Sequence, residues 1–494
     1  MSQETRDKKI IVLGATGYVG GRLVPKLLEG GYQVRATGRS KEKLKNRFWA
    51  DHPHVELFSV NVHDPDSLRQ ALKGMDIAYY LVHSMNPQSS DFEESDRVAA
   101  DNMSRIAKEC GLKRIIYLSG LGEEGKSLSK HLKSRHEVSR ILKSGTVPVT
   151  VLRAAMIIGS GSASFEILRY LVERLPVMVT PRWVKTPSQP IAIRNVIEYL
   201  YGCVEKEETS GQTYDIGGKE IVSYRELMTI YAEVAGLKKR LFISVPVLTP
   251  RLSSLWIHLV TPVPSYIAMP LAEGLRNPVI CKDTRITKII PQDLLDCRQA
   301  ITKALEMVRS NDVKTYWADA GEVPDVETAQ AGDPSWAGGT IYEDKRILTV
   351  NASKEKVWEI VSHIGGTTGW YHGTWLWVLR GFIDRLVGGV GASRGRRNAT
   401  EIGVGDVLDF WRVVGVEKNR SLRLAAEMRL PGIALLNFEI KEIDQNKCEL
   451  LQQARFKPYG LTGLCYWNIL IPLHEYILGG MIKKIAALSA KQLR

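Results

Sequence analysis

Over residues 8–155, short apolar runs alternate with stretches of helical periodicity. One such stretch, DPDSLRQALKG, begins at a capping Asp64 and stops at Gly74. Strands that alternate with helices of this length need right-handed crossovers, which indicates a doubly wound parallel sheet of the α/β class. The predicted strands are Lys9–Leu13, Gln33–Thr37 and the runs at 54–60, 76–82, 113–119 and 147–153.

The alternation loosens after residue 155, where a late strand is predicted at 214–218 and a helix, capped by Ser223, at 223–236. Residues 241–280 are rich in Leu, Val and aromatics, but their prolines exclude one long helix. No stretch of this segment is long enough to be a transmembrane helix. The segment lines a substrate cleft or lies on a membrane; the alternative is ordinary core and connecting helices.

The C-terminal part of the chain follows a different pattern. A helix over 296–309 precedes polar sequence rich in Ala, Gly, Asp and Pro, which is typical of a linker. Beyond it we predict a strand at 345–350, a helix at 353–363 and a long final helix at 461–493. Between the two helices we predict four strands of period 2, at 406–417, 421–432, 433–444 and 447–458. This order predicts an α+β helix-grip domain, in which a curved sheet wraps a helix. The predicted domains are 1–310 and 338–494, with a linker at 311–337.

Three glycines follow the first strand in the spacing G-x-x-G-x-x-G, and helix-forming sequence follows them. Gly14 lets the chain turn off the strand, Gly17 lets the backbone approach a pyrophosphate, and Gly20 lets the helix pack close to the sheet. The amides and the dipole at the helix start form an anion site. This context predicts a dinucleotide site. The other loop residues predicted to meet the phosphates are Thr16, Tyr18 and Val19.

The second strand ends without the acidic residue that usually binds the ribose 2′-hydroxyl of NAD. The chain reads Gly38, Arg39, Ser40, Lys41 at this point. A guanidinium pairs bidentately with a 2′-phosphate, so Arg39 favours NADP(H) over NAD(H) as the cofactor. The alternative is that Arg39 is a solvated loop charge.

Composition narrows the class of protein. A chain of 494 residues is too long for one core, and its apolar and charged fractions are those of a soluble globular protein. The net charge of +13 suits an anionic cofactor or a membrane surface, whereas no nucleic-acid-binding signature occurs, so we expect no nucleic-acid partner. The six cysteines form no C-x-x-C pair and the polar N-terminus is not a signal peptide, which predicts reduced thiols in the cytoplasm. The histidines lack metal-ligand spacing, so we expect no metal.

Residues 8 to about 308 contain, in chain order, GATGYVG, Arg39, LVHSM, YLSGLG, HLKSRHEVSRILKSG, TVLRAAMIIGSGS and QPIAIRNV. On these motifs this part of the chain resembles an atypical short-chain dehydrogenase/reductase of the NmrA-like kind. The later part is similar to a module of unknown function that is often fused to such domains and is grouped with START and polyketide-cyclase-like folds. Together they resemble bacterial NAD(P)-binding proteins of the YbjT type. The resemblance implies a Rossmann fold and a nucleotide cofactor but names no substrate.

The catalytic spacing departs from that family's pattern. Short-chain dehydrogenases have Ser after the fifth strand and Tyr-x-x-x-Lys on the next helix, where i, i+4 spacing puts both side chains on one face. Here Ser119 is in place, but His131 stands at the tyrosine position and Arg135 at the lysine position. In one interpretation His131 is the acid/base, Ser119 holds the substrate oxygen and Arg135 binds ribose or substrate. In the other, the helix only closes the nucleotide site.

Further cofactor contacts follow from position at the strand ends. Asn61 and Val62 come after the third strand and should border the adenine, Val62 through its backbone alone. Val82 and His83 end the fourth strand, where they should lie beside the nicotinamide ribose. The alternative for His83 is a histidine that caps the strand end.

The C-terminal domain offers candidate ligand and membrane contacts. Trp370, Trp375 and Trp377 surround a cavity for a flat or lipidic ligand, or they fill the core. The basic loop at 393–398 touches a phosphate or anionic lipid, or it is simply solvated. The terminal helix is the gripped helix of the fold or a peripheral membrane helix, and Pro472 and its polar neighbours keep it from spanning a bilayer.

We therefore expect a cytoplasmic, two-domain NADP(H)-binding oxidoreductase that reduces or isomerises a hydrophobic carbonyl, quinone or isoprenoid-like substrate. One alternative is a non-catalytic NADP(H)-binding sensor or complex-assembly protein, a role that the resemblance to NmrA-like regulators and to the NAD(P)H-binding accessory subunit of respiratory complex I implies. Another is lipid or quinone handling through peripheral membrane contact. These expectations leave the oligomeric state open.

Overall fold

In a computed structural model the chain divides into two compact units, Met1–Ala320 and Gly321–Arg494. Each unit has its own sheet and its own hydrophobic core. The residues that the structure describes are 6–82, 92–122, 130–245, 249–261, 263, 265–309, 315, 341–391, 395–396 and 401–490.

The first unit is built on a parallel sheet of seven strands, which confirms the predicted α/β class for this part of the chain. The order across the sheet is β11-β6-β5-β4-β1-β2-β3, so the strand order reverses beside β1. The strands of the unit are β1 Arg6–Leu13, β2 Tyr32–Gly38, β3 Val55–Ser59, β4 Ile77–Tyr80, β5 Arg114–Gly120, β6 Val149–Ala154, β7 Ile157–Ile158, β8 Val177–Pro181, β9 Pro187–Ser188, β10 Ile191–Ala192, β11 Thr213–Ile216, β12 Val222–Ser223 and β13 Leu241–Val245.

Helices cover both faces of this sheet because its strands are apolar on both sides. The helices of the unit are α1 Gly20–Glu29, α2 Lys41–Lys45, α3 Pro65–Leu72, α4 Phe92–Glu109, α5 Lys130–Ser144, α6 Ala163–Arg174, α7 Ile193–Glu205, α8 Tyr224–Val234, α9 Pro250–Val260, α10 Ser265–Gly274, α11 Ile286–Ile289 and α12 Cys297–Arg309. Helices α1 and α7 pack on one face, and α3, α4 and α5 pack on the other.

The later part of the first unit forms three two-stranded sheets, β7–β10, β8–β13 and β9–β12, which the sequence patterns did not predict. The segment 241–280 contributes β13, α9 and α10, and Pro270 lies inside α10. Apolar residues of α9 and α10 pack against α6, so much of this segment is core and connecting helix.

The second unit is an antiparallel sheet of six strands in the order β14-β19-β18-β17-β16-β15. A long helix packs on one face of it and buries Leu478, Met481, Ile482 and Ile485 in the core. The elements are β14 Tyr342–Val350, α13 Lys354–Ser362, α14 Thr374–Leu386, β15 Val407–Leu408, β16 Trp411–Glu417, β17 Ser421–Ala426, β18 Gly432–Asp444, β19 Lys447–Pro458 and α15 Gly460–Ala490.

Two features of the second unit differ from the sequence prediction. The strand predicted over 406–417 breaks at Asp409, whose φ of 55° lies in the left-handed region, so β15 and β16 are separate. Helix α14 was not predicted at all, because its apolar residues read as an aromatic cluster. Within the described ranges, no helix is both long and apolar enough to cross a membrane.

Candidate functional site

The glycine loop joins β1 to α1 in a conformation that two of its glycines make accessible. Gly14 has φ +94°, and a Cβ there would lie 2.9 Å from the carbonyl oxygen of Leu81. A Cβ on Gly20 would overlap the backbone of Gly14. The amide of Gly17 donates to the Gly14 carbonyl at 3.0 Å, which closes a tight turn. The sequence predicted this loop geometry because each glycine acts through local sterics.

The loop leaves backbone donors available at the start of α1. The helix begins after Val19, which makes no side-chain cap. Within the part of the chain that the structure describes, no acceptor bonds the backbone amides of Thr16, Tyr18, Val19 or Gly20. Unsatisfied amides at a helix start, together with the positive end of the helix dipole, bind phosphate. The geometry therefore fits the pyrophosphate of a dinucleotide.

Two residues that were not among the predicted site residues, Thr315 and Arg22, contact this loop through hydrogen bonds. Thr315 donates from its Oγ1 to the carbonyl oxygen of Tyr18 at 3.0 Å, and Arg22 donates to the same hydroxyl at 2.8 Å. Arg22 also donates to the carbonyl oxygen of Ser160 at 2.8 Å and lies over the ring of Tyr18. Burial raises the pKa of the Tyr18 phenol to about 12, so this group stays protonated at neutral pH. No local signal points to Thr315, which follows the last helix of the unit.

Basic side chains lie at the carboxyl end of β2. Arg39 is exposed directly after the strand, and its carbonyl oxygen accepts a hydrogen bond of 2.9 Å from Ser59. Ser40 caps α2 through the amide of Lys43. Arg47 donates to the carbonyl oxygen of Thr16 in the glycine loop at 2.7 Å. The structure thus adds Arg47 to the predicted Arg39 at this end of the sheet.

The positions predicted to border adenine and ribose lie at the ends of β3 and β4. Asn61 is exposed, and its side-chain oxygen accepts the amide of His63 at 3.1 Å. Val62 is buried in the core under α3, and its carbonyl oxygen accepts from Asn102 at 3.2 Å. Val82 is half-buried after β4. His83 lies outside the described residues.

Ser119 lies near the end of β5, in register with Arg153 on β6, which is in register with Asp215 on β11. The alternation of side chains along these strands places all three on the sheet face that α5 covers. Ser119 is 5% exposed, and no described residue bonds its Oγ. A buried hydroxyl without a partner is uncommon in a native fold. Ser119 is therefore a candidate to hydrogen-bond a bound molecule.

Arg135 packs against the same strand from helix α5. Its Nη1 donates to the carbonyl oxygen of Leu118 at 3.3 Å, and the phenol of Tyr117 donates to the backbone carbonyl of Arg135 at 3.4 Å. Burial raises the pKa of the Tyr80 phenol, and the positive charge of Arg135 opposes this rise. The structure thus brings Arg135 next to Ser119. His131 lies one turn earlier on α5, but its side chain is outside the described part.

An ion pair between the half-buried Arg153 and the buried Asp215, which the sequence interpretation missed, lies beside Ser119. Arg153 donates to Asp215 at 2.7 Å, and the second carboxylate oxygen of Asp215 accepts the amides of Lys282 and Asp283 at 2.9 and 3.1 Å. Burial, reinforced by the charge of Asp215, raises the pKa of the Cys281 thiol to about 12. Cys281 is therefore protonated and does not supply a nucleophilic thiolate. The sequence signal for this ion pair was a charged residue near the end of each strand, Arg153 on β6 and Asp215 on β11.

The three tryptophans predicted for the second unit have separate environments. Trp370 is buried, stacks on Phe410 with ring centroids 6.0 Å apart, and donates to Asp409 at 2.9 Å. Trp377 packs on Trp370 at 5.2 Å. Trp375 is exposed. The first two therefore pack in the core, as one interpretation predicted, and Trp375 fits neither interpretation.

The parallel sheet, its reversal of strand order and the glycine loop define an NAD(P)-binding Rossmann domain with an oxidoreductase-like fold. Residues 14–169 match a family model described as NAD(P)H-binding. Residues 336–481 match the model of a protein of unknown function, DUF2867. Within the described residues, no group of three or more His, Cys, Asp or Glu side chains is placed to hold a metal ion.

Individual proteins are similar to this chain over its first part. NADH dehydrogenase [ubiquinone] 1 alpha subcomplex subunit 9, mitochondrial, is 24% identical in Arabidopsis thaliana over 44% of this chain and in Mus musculus over 48%. The chain spans 56% and 62% of the length of these two relatives. A crystal structure of Citrobacter sp. triphenylmethane reductase complexed with NADP(H) is 20% identical, with a TM-score of 0.50 over 60% of this chain and 99% of the other. That likeness shows the fold alone.

Proposed function

We propose that this protein is an NADP(H)-dependent oxidoreductase that reduces or isomerises a hydrophobic carbonyl, quinone or isoprenoid-like substrate. The observation that carries the proposal is the Oγ of Ser119, which is buried at the carboxyl end of β5 and has no partner among the described residues. In open α/β sheets, ligands bind outside the carboxyl ends of the strands. A substrate oxygen bound there would satisfy this hydroxyl.

The cofactor assignment rests on the glycine loop and on Arg39. The amides of Thr16, Tyr18, Val19 and Gly20, which no described residue bonds, suit a pyrophosphate. Arg39 is exposed at the end of β2 without a neighbouring acid in sequence. A guanidinium at this position favours a 2′-phosphate over a 2′-hydroxyl. The nicotinamide, when bound, supplies or accepts the hydride. The residues of this chain hold its phosphates and orient the substrate oxygen.

His131 is our candidate for the acid/base. It lies on the first turn of α5, four residues before Arg135, so both occupy one helical face. Imidazole exchanges protons near neutral pH.

Titration with NADPH and with NADH tests this proposal, followed by measurement of NADPH oxidation and NADP⁺ reduction over a panel of quinones, carbonyl compounds and their alcohols. Tight NADPH binding with turnover of a panel member is the expected result. The variant His131→Ala should then lose turnover and keep its NADPH affinity. If His131→Ala still turned over the substrate, the acid/base role of His131 would be contradicted.

A non-catalytic nucleotide-binding role is the second candidate. Two observations favour it: the chain is similar to a subunit of NADH dehydrogenase, and the guanidinium of Arg135 is bonded to the Leu118 carbonyl. In this role α5 closes the nucleotide site and Ser119 holds no substrate. Tight NADPH binding without turnover of any panel member, and with no loss of affinity in Ser119→Ala, is the result that this candidate predicts.

For the second unit we propose a START-like, helix-grip ligand module. The proposal is supported by the order strand, two helices, antiparallel strands and long helix, and by the packing of α15 on the sheet. The Nε1 atoms of Trp377 and Trp411 are buried and find no acceptor among the described residues, so a ligand carbonyl would suit them. Quinone quenching of tryptophan fluorescence, compared between the native chain and Trp411→Phe, tests this proposal. An unchanged quenching curve would contradict it.

A further inference from the structure

Helix α14 exposes a broad apolar face. Trp375 is 62% exposed and Leu386 63%, and the large apolar residues between them on this face are also mostly exposed. Single exposed apolar residues are ordinary, whereas a contiguous set on one helix marks an interaction surface. We call this set the α14 face. Its members are Trp375, Val378, Leu379, Phe382, Ile383, Leu386 and, just beyond the helix, Val387.

The opposite side of α14 is anchored, so the exposure does not result from a loosely placed helix. Asp384 is fully buried and accepts the amide of Gly391 at 2.8 Å and the amide of Arg429 at 2.7 Å. Gly381 is buried on the same side. Trp377, on this side too, packs on the buried Trp370. These hydrogen bonds and packing contacts set the orientation of α14, and this orientation places its apolar side outward.

The charges of α14 are arranged around this apolar face. At 100° per residue, Arg380 and Arg385 fall at its two edges, one on each side. Asp384 is the only acidic residue of the helix, and it points inward. Arg380 also donates to the carbonyl oxygen of Arg429, which is itself exposed. Arg380 is only 21% exposed and pairs with Asp384 at 3.5 Å, so the net positive charge beside the apolar face comes from the half-buried Arg385 and the exposed Arg429. The helix has no exposed acid.

We propose that the α14 face docks on the surface of an anionic lipid bilayer. An amphipathic helix with Trp, Phe and Leu on one face and arginines beside them lies in the bilayer interface, where the arginine heads reach the lipid phosphates. A second copy of the chain fits less well, because two such faces packed together would place arginine edges against each other. The proposal is independent of the oxidoreductase activity.

Helix α15 extends the surface where α14 begins. Tyr476 of α15 lies beside Gly373, the residue that precedes α14, and its ring is 4.7 Å from that of His372. Ile469, Leu473 and Tyr476 are spaced to share one face of α15, and all three are exposed. The sequence had suggested membrane contact by the terminal helix, and the structure adds α14 as the principal element.

Flotation of the full chain with vesicles tests the proposal. We expect the chain to float with phosphatidylcholine vesicles that contain phosphatidylglycerol, to float less with pure phosphatidylcholine, and to be released by salt. The variants Phe382→Asn and Leu386→Asn should each weaken binding about fivefold or more. The matched control is Ile443→Asn, which changes a similarly exposed residue of β18 and should bind as the native chain does.

A second measurement identifies the contacting surface without a polar substitution. Brominated lipids should quench part of the tryptophan fluorescence, and Trp375→Phe should remove most of that quenching while the chain still floats. Absence of flotation, or flotation unaffected by both asparagine variants, would overturn the proposal. So would light scattering that shows a native dimer, made monomeric by Phe382→Asn, together with no binding to vesicles.

Discussion

Arg135, on the second turn of α5, donates through its Nη1 to the carbonyl oxygen of Leu118, 3.3 Å away, and Leu118 immediately precedes Ser119. This bond joins the helix that carries His131 to the end of the strand that carries the Ser119 hydroxyl, which no described residue bonds. Because the guanidinium is engaged with the strand, Arg135 acts first as a positioning residue. Arg135 therefore lies beside the strand end that carries Ser119, and the catalytic site of Ser119, His131 and Arg135 stays a prediction.

Substitution of two buried serines, Ser134 and Ser119, tests whether the hydroxyl of each serves the fold or the reaction. Ser134 is 2% exposed and donates to Asp96 at 2.9 Å, whereas Ser119 has no bond within the described residues. We expect Ser134→Ala to lower the free energy of unfolding by about 1–3 kcal/mol, because Asp96 loses a buried bond. Ser119→Ala should change it by less than about 0.5 kcal/mol and reduce turnover about 10²-fold. Denaturant unfolding and single-turnover kinetics check both; equal destabilisation would show that Ser119 is structural.

Arg39 should discriminate between the two nicotinamide cofactors. A charge-assisted bond to the 2′-phosphate contributes about 1.5–3 kcal/mol, so Arg39→Ala should weaken NADPH binding roughly 10- to 100-fold and leave NADH binding unchanged. Fluorescence titration with both cofactors measures this. Arg420→Ala is the control, since Arg420 is highly exposed in the other unit. A parallel loss of NADPH and NADH affinity would contradict the assignment.

Gly14 and Gly111 both have positive φ, +94° and +69°, but only Gly14 has a close neighbour. Gly111→Ala should cost roughly 1–2 kcal/mol of stability through backbone strain and leave cofactor binding intact. Gly14→Ala adds a Cβ 2.9 Å from the Leu81 carbonyl, so it should cost more and also weaken binding of both cofactors. Thermal melts with and without NADPH measure the two effects. If NADPH raised the melting temperature of Gly14→Ala as much as that of the native chain, the assignment of the glycine loop to the cofactor site would be contradicted.

His474 should make the second unit less stable in acid. Burial lowers the pKa of this imidazole below its ordinary 6.5; the carboxylate of Asp344 opposes the shift and the charge of Arg346 adds to it. The unfolded chain therefore binds the proton at higher pH than the folded chain does. The stabilisation is present above pH 6.5 and is lost as the pH falls below that value. Urea midpoints, followed by tryptophan fluorescence between about pH 7.5 and pH 5.5, should decrease less in His474→Gln than in the native chain. Equal slopes would contradict the prediction.

The sequence alone determined the features that depend on neighbouring residues. Alternating strands and helices predicted the parallel sheet of the first unit, and glycine spacing predicted the turn at Gly14 and the close packing at Gly20. Period-2 alternation predicted the antiparallel strands of the second unit, including β19 over its full length. These features follow from backbone sterics and from the burial of one face, which act over a few residues.

Only the tertiary structure decided which distant groups meet. Thr315 reaches Tyr18 across 297 positions of sequence, and Arg153 meets Asp215 because β6 and β11 are neighbours. The exposure of Trp375 could not be predicted from the sequence either, because an apolar stripe on a helix predicts burial. Only the packed fold shows that no described residue covers this side chain. Such contacts depend on how elements pack over long distances, and no local pattern encodes that choice.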